Sequence, residues 1–402
     1  MDNKKLTRSK IWALTGPALV AGVAYLDPGN VATNISAGSH YSYTLLWVLL
    51  LANAIAWLVQ YLAAKLGLAT NKSLSRLMGE RFKSPVARVL YWMQAQLVVI
   101  ATDLAEIIGG AIALNLLFGI PLLLGCVLTA AVATGLLYYQ ARSKSKRFEL
   151  VIIGLIALTA VGFMSTMIFA PMGATEQAGT IDYAGESVLL LAMGVIGATI
   201  MPHAVYVHSA LSSDRLGVFG KKSLVRVIRI DVTIAMLIAG AVNVALLVIG
   251  AKLGANATEG DVIGAAFATL SASSNVIAAL FALALFASSL ASTTVGTFAG
   301  DVILDGLLLK RPLPIFVRQI ITLVPALLIL ALNDSPTEVL VLSQIFLSFG
   351  IPFALFPLIY LTSNKQVMKK FVNSRRTKWI GYAIVVALSA LNILSIFSVL
   401  SK

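Results

Sequence analysis

Eleven apolar runs, most of them about twenty residues or longer and parted by short gaps, leave this chain little choice of solvent. A run of that length crosses bilayer hydrocarbon as a helix, because each backbone N–H and C=O must find its partner inside the segment. The spans fall, to within several residues, at about 10–38, 42–69, 84–117, 120–140, 148–170, 185–212, 225–252, 275–307, 315–332, 337–363 and 377–400. Charged residues make up 12% of the 402, against about a quarter in soluble domains. The expectation is an all-α integral membrane protein of one transmembrane domain with eleven helices. The first run has no convincing cleavage site and continues into a polar break, so it reads as a span rather than a signal peptide. Cys126 stands alone in an apolar run, where packing is its role and no intramolecular disulfide is available.

A formal net charge of +13 would suit a nucleic-acid binder, but its placement points elsewhere. Lysine and arginine gather in every second gap: Lys4 to Lys10, Lys72 to Arg88, Arg142 to Arg147, Arg215 to Arg229, Lys310 to Arg318, and Lys365 to Lys378. The intervening gaps hold almost none, Lys252 being the exception. That alternation is the positive-inside pattern of a multi-pass protein of the cell membrane. It places the N-terminus in the cytoplasm and, with an odd number of spans, the C-terminus outside. The lipid bilayer is the expected partner; nucleic acid is not, and no obligate protein partner is expected. Two outer gaps are long, 171–184 with Glu176 and Asp182, and 253–274 with Glu259 and Asp261; both read as solvated connectors.

Two spans carry a proline with polar company. In the first, Leu26-Asp27-Pro28-Gly29-Asn30 interrupts the apolar run; in the sixth, Met201-Pro202-His203 does. Proline removes a helical N–H and clashes with the preceding turn, so both helices should break there. Non-helical backbone at membrane depth survives only where protein or a cavity covers it. Five spans separate the two breaks, so the sixth enters the membrane with opposite polarity. Interrupted helices in corresponding places of two inverted halves point to a transporter with its site at the midplane. Pro325, Pro352 and Pro357 lack such neighbours and read as kinks.

The residues at the breaks suggest a positive guest. An Asp at the bilayer centre costs about 2.5–3.5 kcal/mol, which a cation beside Asp27 would offset. Asn30 supplies an amide oxygen, or else a local cap for the second half-helix. Pro202 denies a hydrogen bond to a carbonyl one turn earlier, where Ala198 lies. Met201 is either gap-filling core or a thioether ligand. Carboxylate, amide, carbonyl and sulfur together would suit Mn2+ or Fe2+ and handicap Ca2+ and Mg2+, which take oxygen throughout. His203 and His208, five residues apart, are about 140° apart around a helix and cannot share one face. Each is a candidate proton acceptor, or a buried imidazole bonded to a carbonyl. His40 falls near the outer end of the first span and reads as solvated.

In the third span Asp103 and Glu106, at i and i+3, share a face inside the membrane. They suggest a proton relay or counterions for a buried arginine, with Arg318 the obvious partner unless it snorkels to the headgroups. Asp301 and Asp305 are expected to pair with Lys310 and Arg311, and Asp231 with Arg229. No Walker A sequence, HExxH or GxGD occurs, so an enzyme is not expected.

With those residues in place, the chain resembles the Nramp family, the natural resistance-associated macrophage proteins. The matching segments are LDPGNVATNI at 26–35, ATDLAE at 101–106, GATIMPHAVYVHSAL at 197–211 and SQIFLSFGIPFAL at 343–355, in the family's order. The resemblance implies a LeuT-like fold: inverted five-helix repeats at about 10–170 and 185–363 plus an extra helix at about 377–400. It implies proton-coupled import of Mn2+ and Fe2+ as transported substrate, with no cofactor. The implied metal ligands are Asp27, Asn30, the Ala198 carbonyl and Met201, with Gln344 approaching in some states. The implied proton route runs through Asp27, His203, Glu106, Asp103 and Arg318, with His208 as a further candidate. The chain departs from the commonest family pattern at Ala204, after His203, and at Gln319, after Arg318. The competing expectation is an amino-acid or other cation-coupled transporter of the same fold, which would want free backbone N–H groups at the breaks.

Overall fold

The computed structural model describes residues 16–142, 145–171, 186–216, 221–254, 261–309, 314–333 and 335–400, and their regular structure is helical throughout. The chain begins with α1 (Pro17–Gly22), which tightens into a 3-10 turn at Val23–Leu26, and resumes after Asp27 as α2 (Pro28–Tyr41). Then follow α3 (Leu46–Thr70), α4 (Leu74–Arg81), α5 (Pro85–Phe118), α6 (Leu122–Arg142) and α7 (Ser145–Phe169). The sixth span is split into α8 (Glu186–Thr199) and α9 (Pro202–Leu216). The remainder is α10 (Lys221–Leu253), α11 (Val262–Ser273), α12 (Asn275–Leu308), α13 (Ile315–Leu332), α14 (Pro336–Thr362), a short α15 (Lys365–Met368) and α16 (Arg375–Leu400).

Among the described residues, ten segments are long and apolar enough to cross a membrane, one of them spanning the α8–α9 break. The first expected span differs: only its Pro17–Leu26 half is strongly apolar. Its other half, α2, carries Thr33, Asn34, Ser36 and Ser39, all buried, because protein rather than lipid surrounds it. The onset expected near residue 10 lies outside the described residues, as do Glu176, Asp182, Glu259, Lys310 and Arg311.

Each second half-helix leans on the span that follows the other break: α2 packs on α10, and α9 on α3. The long helix α12 lies against α5 and α7, α14 against α2, α5 and α8, and α16 stands at the flank against α14 and α8. The two broken spans therefore sit at the centre.

Two expectations are corrected. The 253–274 gap is not merely a solvated connector, since α11 forms within it and buries Val262, Ile263, Ala266 and Leu270. Asp261 caps α11 through Gly264 N (3.0 Å) and takes the Thr337 hydroxyl of α14 (2.5 Å). Asp231 takes Gly16 N (3.1 Å) and Ala18 N (3.0 Å), supplying α1 with the acceptor that its own N-terminus lacks, a role the pairing with Arg229 did not foresee. A further short helix, α4, was not foreseen. Ser73 caps it, and Lys72 lies 2.7 Å from Glu80 Oε2, a hydrogen bond that holds the Glu80 carboxyl below its usual range. Lys252, the exception to the charge pattern, donates to Met167 O (2.8 Å) and Ala170 O (3.3 Å) at the end of α7, where carbonyls lack helical partners.

Candidate metal site

The first break follows from proline. Asp27 is extended (φ −67°, ψ 162°), Pro28 occupies the first helical position of α2, and Asp27 Oδ1 caps that helix through Asn30 N at 2.8 Å. At the second break Pro202 begins α9 without an N–H to return to Ala198, one turn earlier. The Ala198 carbonyl instead receives Asn30 Nδ2 at 3.1 Å, which joins the two breaks directly. Asn30 Nδ2 also donates to Tyr25 O at 2.6 Å, and Asn34 Nδ2 reaches Asn30 Oδ1. From α14, Gln344 Nε2 donates to Asp27 Oδ2 at 3.2 Å. A Cβ on Gly29 would overlap the Gln344 amide, so only glycine admits α14 this close.

Asp27, Asn30, Ala198, Met201 and Gln344 are all fully buried. The structure thus gathers Asp27, Asn30, Ala198 O and Gln344 through hydrogen bonds and places Met201 in the same break. In this arrangement the oxygens answer to neighbouring amides: a dication bound among them would take over Ala198 O and Asn30 Oδ1 from the Asn30 and Asn34 amides. The carboxylate, held by Asn30 N, Gln344 Nε2 and the Gly29 backbone, has about four lone-pair sites and so retains capacity for a cation.

The proton-route residues are only partly brought together. His203 Nδ1 lies 3.4 Å from Thr102 Oγ1, beside Asp103 in sequence, while its Nε2 is buried without a partner. Both Glu106 carboxylate oxygens and Asp103 Oδ1 are likewise buried without a well-formed hydrogen bond, beside each other and beside the Ser292 and Thr293 hydroxyls. Both acids face Gly296 of α12, where a side chain would collide with Asp103 and stand 3.2 Å from Glu106 Oε2. Arg318 makes its own contacts beside them: its guanidinium pairs with Asp301 of α12 and donates to Thr297 O at 3.0 Å, while its charge acts on Asp103. Arg318 therefore reaches Asp103 only through its charge, because α12 brings Asp301 to α13 first, while the expected pairing of Asp301 and Asp305 with Lys310 and Arg311 falls on residues outside those described. Exposure rises from Glu106 (0%) through Asp103 (8%) to the side chains of Arg318 (15%) and Asp301 (27%), so the row leads towards one face.

His208 belongs to a different network. Its Nδ1 donates to Gln60 Oε1 at 2.6 Å, and Gln60 Nε2 reaches the Tyr25 hydroxyl, whose residue precedes the first break. Sequence reasoning missed Gln60, Tyr25 and the α12 residues Ser288 and Ser289, which bond to Leu26 O and to Glu106 O (2.6 Å). A glutamine inside the apolar run of α3 was a usable signal, since membrane helices rarely bury an amide without use for it. The α12 serines carried none, because small polar residues occur at many helix contacts in membranes.

A family described as natural resistance-associated macrophage protein-like matches residues 18–398. Relatives include the divalent metal cation transporter MntH of Mycobacterium tuberculosis, 46% identical over 393 residues, covering 96% of this chain and 91% of that one. MntH of Bacillus subtilis is 45% identical over 390 residues, covering 94% of this chain and 90% of its own. A structure of the Eremococcus coleocola manganese transporter superposes with a TM-score of 0.85 at 31% identity, covering 97% of this chain and 87% of that one. Mhp1, a nucleobase-cation-symport-1 family transporter, shares the fold at a TM-score of 0.61 and 16% identity, covering 96% and 90%.

Proposed function

The chain belongs to the natural resistance-associated macrophage protein (Nramp) family, and from that premise we propose that it imports Mn2+ and Fe2+ across the cell membrane together with protons. It is a multi-pass membrane protein and a transporter of metal ions. The observation that carries the finer reading is the join between the two broken spans, where Asp27, Asn30 and the Ala198 carbonyl meet out of water beside Met201. A hard carboxylate, neutral oxygens and one soft sulfur favour a first-row transition ion over Ca2+ or Mg2+.

Asp27, Asn30, Ala198 O and Met201 are the proposed ligands, with Gln344 holding the Asp27 carboxylate and exchanging with the ion as α14 moves. Protons pass from Asp27 or His203 to Glu106 and Asp103, whose buried oxygens lack the well-formed hydrogen bonds that a travelling proton or water supplies. Arg318 ends the route at the cytoplasmic face, paired there with Asp301, while His208 serves the Tyr25 network. The inverted repeats at about 10–170 and 185–363 rock about the fixed site, with both openings alternating. A dication moving inward gains about 2 × 2.3 kcal/mol per 100 mV, negative inside, so voltage favours uptake. The amino-acid alternative fits less well, because the Asn30 N–H that would bind a substrate carboxylate is taken by Asp27.

The test is Mn2+ uptake into proteoliposomes carrying an internal pH dye, with and without an imposed voltage. Uptake with internal acidification, growing as the inside becomes negative, is expected. Asp27→Ala should abolish it, and His203→Ala should reduce acidification more than Mn2+ binding. Voltage-indifferent flux, or normal uptake in Asp27→Ala, would overturn the ligand assignment.

A further inference from the structure

A groove of about 630 Å3 indents the flank of the bundle between α4, α5, α14 and α16. Its walls are aromatic and apolar, built from Phe82, Tyr91, Phe353, Phe356, Tyr360 and Val385. Proline fixes one of those walls. Pro357 has no N–H to return to Phe353 O, one turn earlier in α14. The Tyr91 hydroxyl takes that carbonyl instead, donating at 2.5 Å, and lies 2.9 Å from the Tyr206 hydroxyl of α9. The Tyr91 ring stands 5.3 Å from Phe82, and Phe356 stacks with Tyr360 at 6.5 Å. These rings are held in place yet left uncovered: Phe353, Phe356 and Tyr360 are 51%, 52% and 47% exposed.

One cation lies on the lining, Arg81 at the end of α4. It differs from its basic neighbours. Lys72 and Arg76 both pair with Glu80, at 2.7 and 3.4 Å. Arg81 has no carboxylate partner among the described residues, and its described hydrogen bond is one of 3.4 Å to Leu77 O, in its own last turn. A guanidinium has five N–H donors, so most of them remain for a guest. Snorkelling accounts for a cation at a helix end, but not for its place on the lining of an otherwise apolar groove. Tyr360 lies two residues before the end of α14 and Pro352 eight residues deeper. The groove therefore descends about 12 Å from the helix ends, most of the roughly 15 Å of hydrocarbon in one leaflet. Its guest needs an anionic head and an apolar tail.

We propose that this groove binds one anionic phospholipid, with its phosphate on the Arg81 guanidinium and an acyl chain along Phe353, Phe356 and Val385. The planar fork of an arginine matches phosphate oxygens. Lipid tails are as apolar as the groove, so the chain supplies fit and Arg81 supplies the preference. The positive-inside pattern is expected to put the Arg81 end at the cytoplasmic leaflet, where anionic lipids create a negative surface. The chain would lie against the Tyr91 hydroxyl node, which links α5, α9 and α14. This binding chemistry is independent of the transport reading.

Native mass spectrometry of the full-length protein, stripped of lipid in detergent and titrated with phosphatidylglycerol or phosphatidylcholine, tests it. The native protein should hold one phosphatidylglycerol about fivefold more tightly than phosphatidylcholine, the worth of one basic residue near an anionic surface. Arg81→Gln should erase that preference without lowering the thermal midpoint, since Arg81 is exposed. Ser389→Trp, which fills the groove from α16, should weaken retention of both lipids although Arg81 remains. Arg375→Gln with Arg376→Gln, at the exposed start of α16, should leave the preference intact. Equal retention of the two lipids by the native protein, or a preference that survives Arg81→Gln, overturns the site. So does a preference lost only when Arg375 and Arg376 are replaced. A dimer that Ser389→Trp disrupts would give the groove to a second copy of this chain, and would overturn the lipid site as well.

Discussion

Asp27 serves two partners in the structure, capping α2 through one oxygen and holding Gln344 through the other. A helix cap of this kind could also bind a cation without surrendering the break that exposes it, because a carboxylate has about four lone-pair sites. Asn30 is similarly shared, its amide nitrogen spanning Tyr25 O and Ala198 O. Met201 contributes nothing to these hydrogen bonds, and its proposed role as a soft ligand is one of selectivity. Met201→Ala should therefore leave Mn2+ uptake measurable while admitting Ca2+ or Mg2+ more readily. A transport competition assay should show the preference for Mn2+ narrowing by about tenfold or more, the equivalent of about 1.4 kcal/mol. Unchanged discrimination would return Met201 to the role of packing. The freed Ala198 carbonyl was legible in sequence, because the loss of a helical partner by the residue four before a proline is a local rule. The partner that replaced it, Asn30 of a span 168 residues away, was not.

At the scale of elements, the short α1 survives because another helix supplies its cap. Asp231 of α10 receives both Gly16 N and Ala18 N, groups that α1 itself leaves unpaired. Asp231→Ala should cost about 1–3 kcal/mol, the range for a buried donor deprived of its acceptor. A lowered thermal midpoint in detergent, with Asp231→Asn closer to native, is the expected signature; an unchanged midpoint would remove the cap from the account. The breaks at Pro28 and Pro202 could be placed from composition and proline chemistry alone. α11 escaped notice because it is short and sits in a gap rich in small residues, and its burial depends on α12 and α2 lying beneath it. Arg318 shows the same limit: a guanidinium in an apolar helix announces that it needs a carboxylate, but α12 decides that Asp301 reaches it before Asp103.

Across the whole molecule, acids are graded from the sealed centre to one face, along the row from Glu106 to Asp301. By the positive-inside pattern of the basic gaps, that face is expected to be the cytoplasmic one. Cysteine labelling tests that assignment. In a Cys126→Ala background, Tyr43→Cys in the α2–α3 turn should react with a membrane-impermeant maleimide on intact cells, whereas Arg76→Cys on α4 should react only after permeabilisation. Both positions are well exposed, so the reverse pattern would invert the topology.

Properties that depend on neighbours along the chain were determined by sequence alone: which runs are apolar enough for lipid, where proline breaks them, which carbonyl is released and which acids lie buried. Tertiary structure decided the pairings: Asn30 with Ala198, Gln344 with Asp27, His208 with Gln60, Arg318 with Asp301 and Asp231 with α1. The physical reason is that hydropathy and helical periodicity describe one helix at a time. A hydrogen bond or ion pair reaches only about 3 Å, so its partner is settled by which helices pack together and in what register.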